Sequence, residues 1–179
     1  IQDNYILADT GKRIADNILP LIKSLLPLGR SEKVDILIIS EKIKESDRNQ
    51  HLRERAEKIH RYLASNLAAF RDELKIRISI VLHDKAFYPE NNPDFHDRHV
   101  YTNYYSLDCG PGFNLFQGNQ RIRSNSEIKV DFILQSRQMR VLPRRLDAIV
   151  AYIEKLRRTE TLEKFKYYPD IKCSILGYT

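Results

Sequence analysis

The chain has 179 residues, 42% of them apolar, and a formal charge of +6 at neutral pH. That length and apolar share suit one buried core of ordinary globular type and exclude a disordered or low-complexity character. No apolar run approaches the roughly 20 residues of a membrane span, and the first residues lack a basic-then-apolar signal layout, so the expectation is a cytoplasmic domain, at most peripheral to a membrane.

In chain order, residues 5–7 read as a short strand that closes at Asp9 and Thr10, either of which can cap the helix that follows. Ile14, Ile18, Leu21, Ile22, Leu25 and Leu28 have helical spacing, with Gly29 as a stop. Pro20 interrupts that helix, either as a kink or as a boundary between two helices. The run 34–39 is too short and too β-branched for a helix and suits a central strand covered on both faces. Asp47 opens a long helix carrying Leu52, Ala56, Ile59, Leu63, Leu67, Phe70 and Leu74 at steps of three and four.

Residues 75–82 alternate as a second strand, and a loop rich in Pro, Asn and Asp runs from His83 to Phe95. Residues 98–108 read as two strand pieces meeting near Asn103 and Tyr104, and 128–134 as a further strand. Leu142, Leu146, Ile149, Val150, Ile153 and Leu156 define a last helix with Pro143 in its first turn. Residues 171–176 suit a terminal edge strand. Strands interleaved with helices make an α/β domain, with a mixed β-sheet and helices packed on its faces.

Charge is unevenly spread. Residues 117–158 hold ten Lys/Arg against four acids, which accounts for the whole excess of +6. A one-sided basic region attracts phosphates of nucleic acid or anionic lipid, although a charged solvated surface has the same composition. Cys109 and Cys173 are too few and too far apart in sequence for a disulfide framework or a zinc cluster. There is no Walker loop, zinc-ligand spacing, serine elbow or dinucleotide glycine string, so no metal or cofactor is expected. The chain starts without Met, and its single Met is Met139. We therefore expect one domain over 1–179, excised from a longer protein.

The chemistry-bearing segment follows the 83–95 loop. His96, Arg98 and Asn103 have the spacing H-x-R-x4-N, and Gly110-Pro111-Gly112-Phe113-Asn114-Leu115-Phe116 comes soon after. The first resembles the H-x-K-x4-D motif of the phospholipase D superfamily, and 110–114 takes the place of that superfamily's G-S-x-N region. Within the superfamily, His96-Asp97-Arg98 and the glycine string are similar to the H-D-R and G-x-G-[LF]-[DN]-x-F strings of the phospholipase D-like C-terminal domain of MIT-domain proteins. The specific likeness spans 96–116, and the order of strands and helices extends it over most of the chain. It implies a phospholipase D-like fold and, from the MIT-associated domain, binding of phosphoinositide membranes rather than catalysis.

A phosphodiesterase of this kind uses one histidine as nucleophile, a second as general acid, and cations around the phosphoryl group. Here His96 is the catalytic candidate. Arg98 keeps the charge of the motif's lysine and can grip a phosphate with two prongs, but it is not a compact point charge. Asn103 cannot supply the carboxylate that orients an imidazole and steadies imidazolium. Binding survives such changes better than turnover does.

The expected function is therefore a non-catalytic or regulatory module that binds a phosphate-bearing ligand, either a lipid headgroup or a nucleic acid. His96 and Arg98 would contact the anion, and Asn103 and Asn114 would hydrogen-bond around it. Gly110 and Gly112 would let a phosphate approach the backbone, while also suiting a strand end that needs positive φ. Arg121, Arg123 and Arg137 would widen the basic patch. The first alternative is a homodimeric phosphodiesterase or nuclease with His96 as nucleophile, because a single motif copy would need a second chain across a two-fold axis. The second is a protein-interaction domain with a vestigial site.

His83-Asp84-Lys85 lies too close upstream to be a symmetry-related motif. His99 is three residues from His96, so period-two alternation puts it on the opposite strand face, at the surface or partly buried. Tyr88, Tyr101, Tyr104, Tyr105, Tyr167 and Tyr168 could stack nucleobases, but they also suit half-exposed strands.

Overall fold

The computed structural model describes residues 1, 6, 11–28, 33–41, 49–83, 98–102, 104–110, 116, 117, 121, 122, 128–132, 134, 135, 144, 146–151, 154 and 165–168. The first helical run is a π-turn over Ile14–Ile18 that passes directly into helix α1, Leu19–Leu25. Pro20 explains the junction. Its ring would collide with the carbonyl of Asp16 and it has no N–H to donate, so the wider turn, in which Leu19 N–H reaches back to Ile14 O, precedes it. The helix thus continues through Pro20, which occupies the first turn of α1. Ile14, Ile18, Leu21 and Ile22 are buried as their spacing requires, whereas Leu28 is 91% exposed and lies past the end of the helix. Ile6 is fully buried in a 3₁₀ turn rather than a strand, since three apolar-rich residues are too few for periodicity to separate the two. Asp9, Thr10 and Gly29 lie outside the described residues.

Strands β1 (Lys33–Glu41) and β2 (Lys75–His83) run parallel, with Lys33 opposite Lys75 and Glu41 opposite His83. Parallel neighbours need a crossover, and helix α2 (Asn49–Phe70) supplies it. Its 22 residues are about 33 Å long and each nine-residue strand is about 30 Å, so helix and strands match. Ile36, Leu37, Ile38 and Ile39 are all buried, as expected of a strand covered on both faces. Among the described strands β2 lies between β1 and Phe165–Tyr168, which pairs antiparallel with its other edge, Ile80 facing Tyr168 and His83 facing Phe165. The ladder is therefore mixed. On the far side of β1, Ile39 N–H donates to Ile1 O at 2.8 Å.

Helix α2 buries Ala56, Ile59, Leu63 and Leu67 against β2 and α1, and Lys23 of α1 places its ammonium 4.8 Å from the Phe70 ring centre. The helix ends at Phe70, so buried Leu74 belongs to the turn into β2. Arg71 organises that turn: its Nε donates to Glu73 Oε1 at 2.7 Å and its Nη2 to Leu28 O at 3.3 Å. The backbone N–H of Glu73, then the Arg71 guanidinium and a hydrogen bond from Asp72, hold the Glu73 carboxyl below the ordinary glutamate range. A depressed folded-state value means stabilisation that is present above the unfolded value and lost as pH falls through the folded one. Glu73→Gln should accordingly narrow the loss of urea resistance between about pH 6 and about pH 3. Superimposable pH profiles for the two proteins would show that the turn contributes nothing to acid sensitivity.

A second three-stranded ladder holds β3 (His99–Tyr101), β4 (Tyr105–Asp108) and, after the two-residue strands β5 (Phe116–Gln117) and β6 (Arg121–Ile122), strand β7 (Lys129–Phe132). β3 and β4 form the hairpin expected around Asn103–Tyr104, and both β4–β7 and β5–β6 are antiparallel. Arg144, residues 146–151 and Glu154 are helical, with Ile149 buried. The last described strand, β8 (Phe165–Tyr168), precedes the expected 171–176, which lies outside the described residues. One apolar cluster joins Ile6, the first helix, β1, α2 and β2 to Val100, Leu107 and Cys109 of the hairpin. The chain is thus an α/β mixture whose β3–β4 hairpin is anchored in the main core. Among the described residues no helix is long and apolar enough to cross a membrane.

Candidate functional site

The hairpin positions the described part of the motif. His99 faces Asp108, Val100 faces Leu107 and Tyr101 faces Ser106. One step beyond the strand, Cys109 N–H donates to Arg98 O at 2.9 Å, so Arg98 continues the ladder opposite Cys109 and next to Gly110. Buried Val100, Leu107 and Cys109 pin this end of the hairpin to the core, and Arg98 is partly buried beside them. Alternation gives Arg98 the face of Val100, and Asp108 the other face.

Gly110 has φ of +53°, the left-handed turn that a glycine at a strand end accommodates most readily. Its N–H donates to Asp108 Oδ1 at 3.0 Å, an aspartate turn that fixes the chain direction as it leaves β4. A Cβ built on Gly110 would meet nothing within 4 Å, so the backbone here is open on that side. Because its N–H is held by a carboxylate, Gly110 offers an approaching anion space rather than a donor. The fork of Arg98 is the group able to hold an oxyanion by two charge-assisted hydrogen bonds.

At the opposite end, Thr102 closes the hairpin. Its N–H donates to Tyr105 O at 2.9 Å, and its Oγ1 accepts from Tyr104 N–H at 3.1 Å and Tyr105 N–H at 2.8 Å. Thr102 is four residues from Arg98, about 13 Å along an extended strand. The structure therefore brings Arg98 and Gly110 together. His96, Asn103, Gly112 and Asn114 lie outside the described residues. Of the basic set, Arg121 sits in β6 opposite Gln117, whereas Arg123 and Arg137 lie outside the described residues.

Sequence reasoning underestimated the burial of His99. It is 6% exposed, more deeply buried than the alternation suggested, and its ring stacks on Tyr101 with centroids 5.6 Å apart. Register places His99, Asp108 and Lys129 in one row across three strands on the face away from Arg98, with Tyr101, Ser106 and Asp131 in the next row. The signal was present as polar residues two apart in each segment, but it had no meaning until the strands were aligned. Among the described residues no three His, Cys, Asp or Glu side chains gather as a metal site would require. Tyr104 and Tyr105 are exposed and Tyr101 is partly buried, while Tyr88 lies outside the described residues. No protein-family model, curated protein or solved structure matches this chain.

Proposed function

We propose that the chain is a phospholipase D-like binding or regulatory module for a phosphate-bearing ligand, with Arg98 as its principal anion contact. The observation that carries this reading is the Cys109-to-Arg98 backbone hydrogen bond. It holds Arg98 beside Gly110, a left-handed turn with open space where a Cβ would project, and this supports reading the two as the cation and first glycine of the resembled strings. Arg98 and Gly110, which belong to two strings separate in sequence, thereby share one end of a hairpin, where a phosphate could meet a guanidinium next to the open side of Gly110. The carboxylate of Asp108 is tied into its own turn on the other strand face, which limits its repulsion of an anion held by Arg98.

The test is binding to vesicles carrying anionic phosphoinositide headgroups and, separately, to single-stranded oligonucleotides. We expect one of the two to bind with affinity that falls between about 50 and 200 mM salt. Arg98→Ala should weaken that binding by about tenfold, the loss of a charge-assisted pair, and Arg98→Lys should restore part of it. The ligand that responds names the source of the phosphate. Salt-insensitive binding, or equal affinity for wild type and Arg98→Ala, would leave a protein-interaction domain as the better description.

A further inference from the structure

The backbone directions in the β3–β4–β7 ladder identify which groups of β7 face away from its partner. Arg98 pairs with Cys109 and Thr102 with Tyr105 through backbone hydrogen bonds, so β4 residues 105, 107 and 109 turn their N–H and C=O groups toward β3. Ser106 and Asp108 therefore turn theirs toward β7, where they meet Asp131 and Lys129. By alternation Ile128, Val130 and Phe132 direct their backbone groups to the outer edge, and among the described residues no strand pairs with that edge. Their side chains are exposed, Val130 at 56%, and they extend the face on which Val100, Leu107 and Cys109 are buried. Phe132 contacts Tyr105, ring centroids 5.6 Å apart, and so continues that apolar face. On the other face Lys129 and Asp131 stand two residues apart, Nζ to Oδ2 3.5 Å.

We propose that β7 is a homodimer interface, pairing antiparallel with β7 of a second copy of this chain about a two-fold axis through Val130. The strand is its own complement in that register. Val130 meets Val130 of the second copy, and Ile128 meets Phe132, in hydrogen-bonded positions that use the outward backbone groups. Phe132 O accepts one bond from Gln135 N–H at 3.0 Å and has a second lone pair for this ladder. Lys129 meets Asp131 of the second copy, and Asp131 meets its Lys129. Both pairs fall in non-hydrogen-bonded positions, where facing side chains come closest. A shift by one residue would oppose Val130 to Asp131 and Lys129 to Phe132, and would set inward backbone groups against outward ones.

An edge lysine commonly guards against strand pairing. Here Asp131, two residues on and on the same face, converts that guard into a register pin. The contact is isologous, so it closes at two copies and joins two ladders into one six-stranded sheet. It does not depend on the ligand proposed above.

Sedimentation of the full chain at concentrations up to about 100 µM should show a monomer–dimer equilibrium. Lys129→Asp puts like charges opposite each other twice and should raise the dissociation constant about tenfold or more. Adding Asp131→Lys to that variant re-creates both pairs in reverse and should bring the constant back to within about threefold of wild type. Val130→Pro deletes an outward N–H at an edge position that tolerates proline, and should give a monomer with an unchanged melting profile. A wild-type monomer throughout, assembly beyond two copies, or a Lys129→Asp dimer as tight as wild type would each overturn the proposal.

Discussion

Replacing Leu63 by alanine is expected to lower the unfolding free energy by about 3 kcal/mol, within the range of about 2–5 kcal/mol found for leucine-to-alanine changes in well-packed cores. Leu63 is fully buried on α2, on the stripe that also holds Ala56, Ile59 and Leu67, and shares its cluster with Ile38 of β1 and Ile78 and Ile80 of β2. Alanine is the better helix former, so the substitution keeps the helix's local preference and isolates the lost packing and the cavity. The adjacent Tyr62, partly exposed, is the control: Tyr62→Ala should cost under about 1 kcal/mol. Urea unfolding with an unchanged slope is the measurement. A Leu63→Ala cost near that of Tyr62→Ala would mean that α2 does not seat on the sheet through this face.

Arg77→Ala is expected to cost about 2 kcal/mol. Arg77 and Asp35 are register partners on the parallel strands, and two bonds join them, Nε to Oδ1 at 2.5 Å and Nη2 to Oδ2 at 2.8 Å. The side chains are unequally exposed, Arg77 at 43% and Asp35 at 9%. Solvent screens the guanidinium, so an ordinary surface pair would be worth under about 1 kcal/mol. The carboxylate is largely withdrawn from water, however, and removing its two-pronged partner exposes the cost of burying it. Arg77→Lys should recover less than half of the loss, because an ammonium cannot reproduce the fork. A double-mutant cycle with Asp35→Ala separates the coupling from each residue's own packing, and a coupling under about 0.5 kcal/mol would refute this account.

The extent to which the site was legible follows from what each residue needs. Gly110 was readable as a strand-end glycine because positive φ is a local property, and its φ of +53° agrees with that. Spacing alone marked Arg98 as the counterpart of the lysine in the motif that the segment resembles, and its role as anion contact is the proposal above. That Arg98 lies beside Gly110 follows only from the pairing of Arg98 with Cys109, a contact between strands. His99 was misjudged for the same reason. It is buried on the face opposite Val100, stacked on Tyr101, and how that face is covered in the fold is not visible in alternation along one strand. Pro20 shows a smaller gap: proline's conflict with the preceding turn is predictable, but its resolution by a π-turn with Leu19 N–H reaching Ile14 O is a choice made by packing.

By itself the sequence determined the local matters: the faces of α1 and α2, the both-sides-buried character of β1, the hairpin around Asn103 and the uneven spread of positive charge. Each is a periodicity or a composition, and nearest-neighbour spacing along the chain is enough to reveal it. Only the tertiary structure decided that, among the described strands, β2 lies between β1 and Phe165–Tyr168, and that His99, Asp108 and Lys129 share a row. Those are matters of register between distant segments. They are decided by which side chains fill a common core and which backbone groups find partners, quantities that no single segment contains.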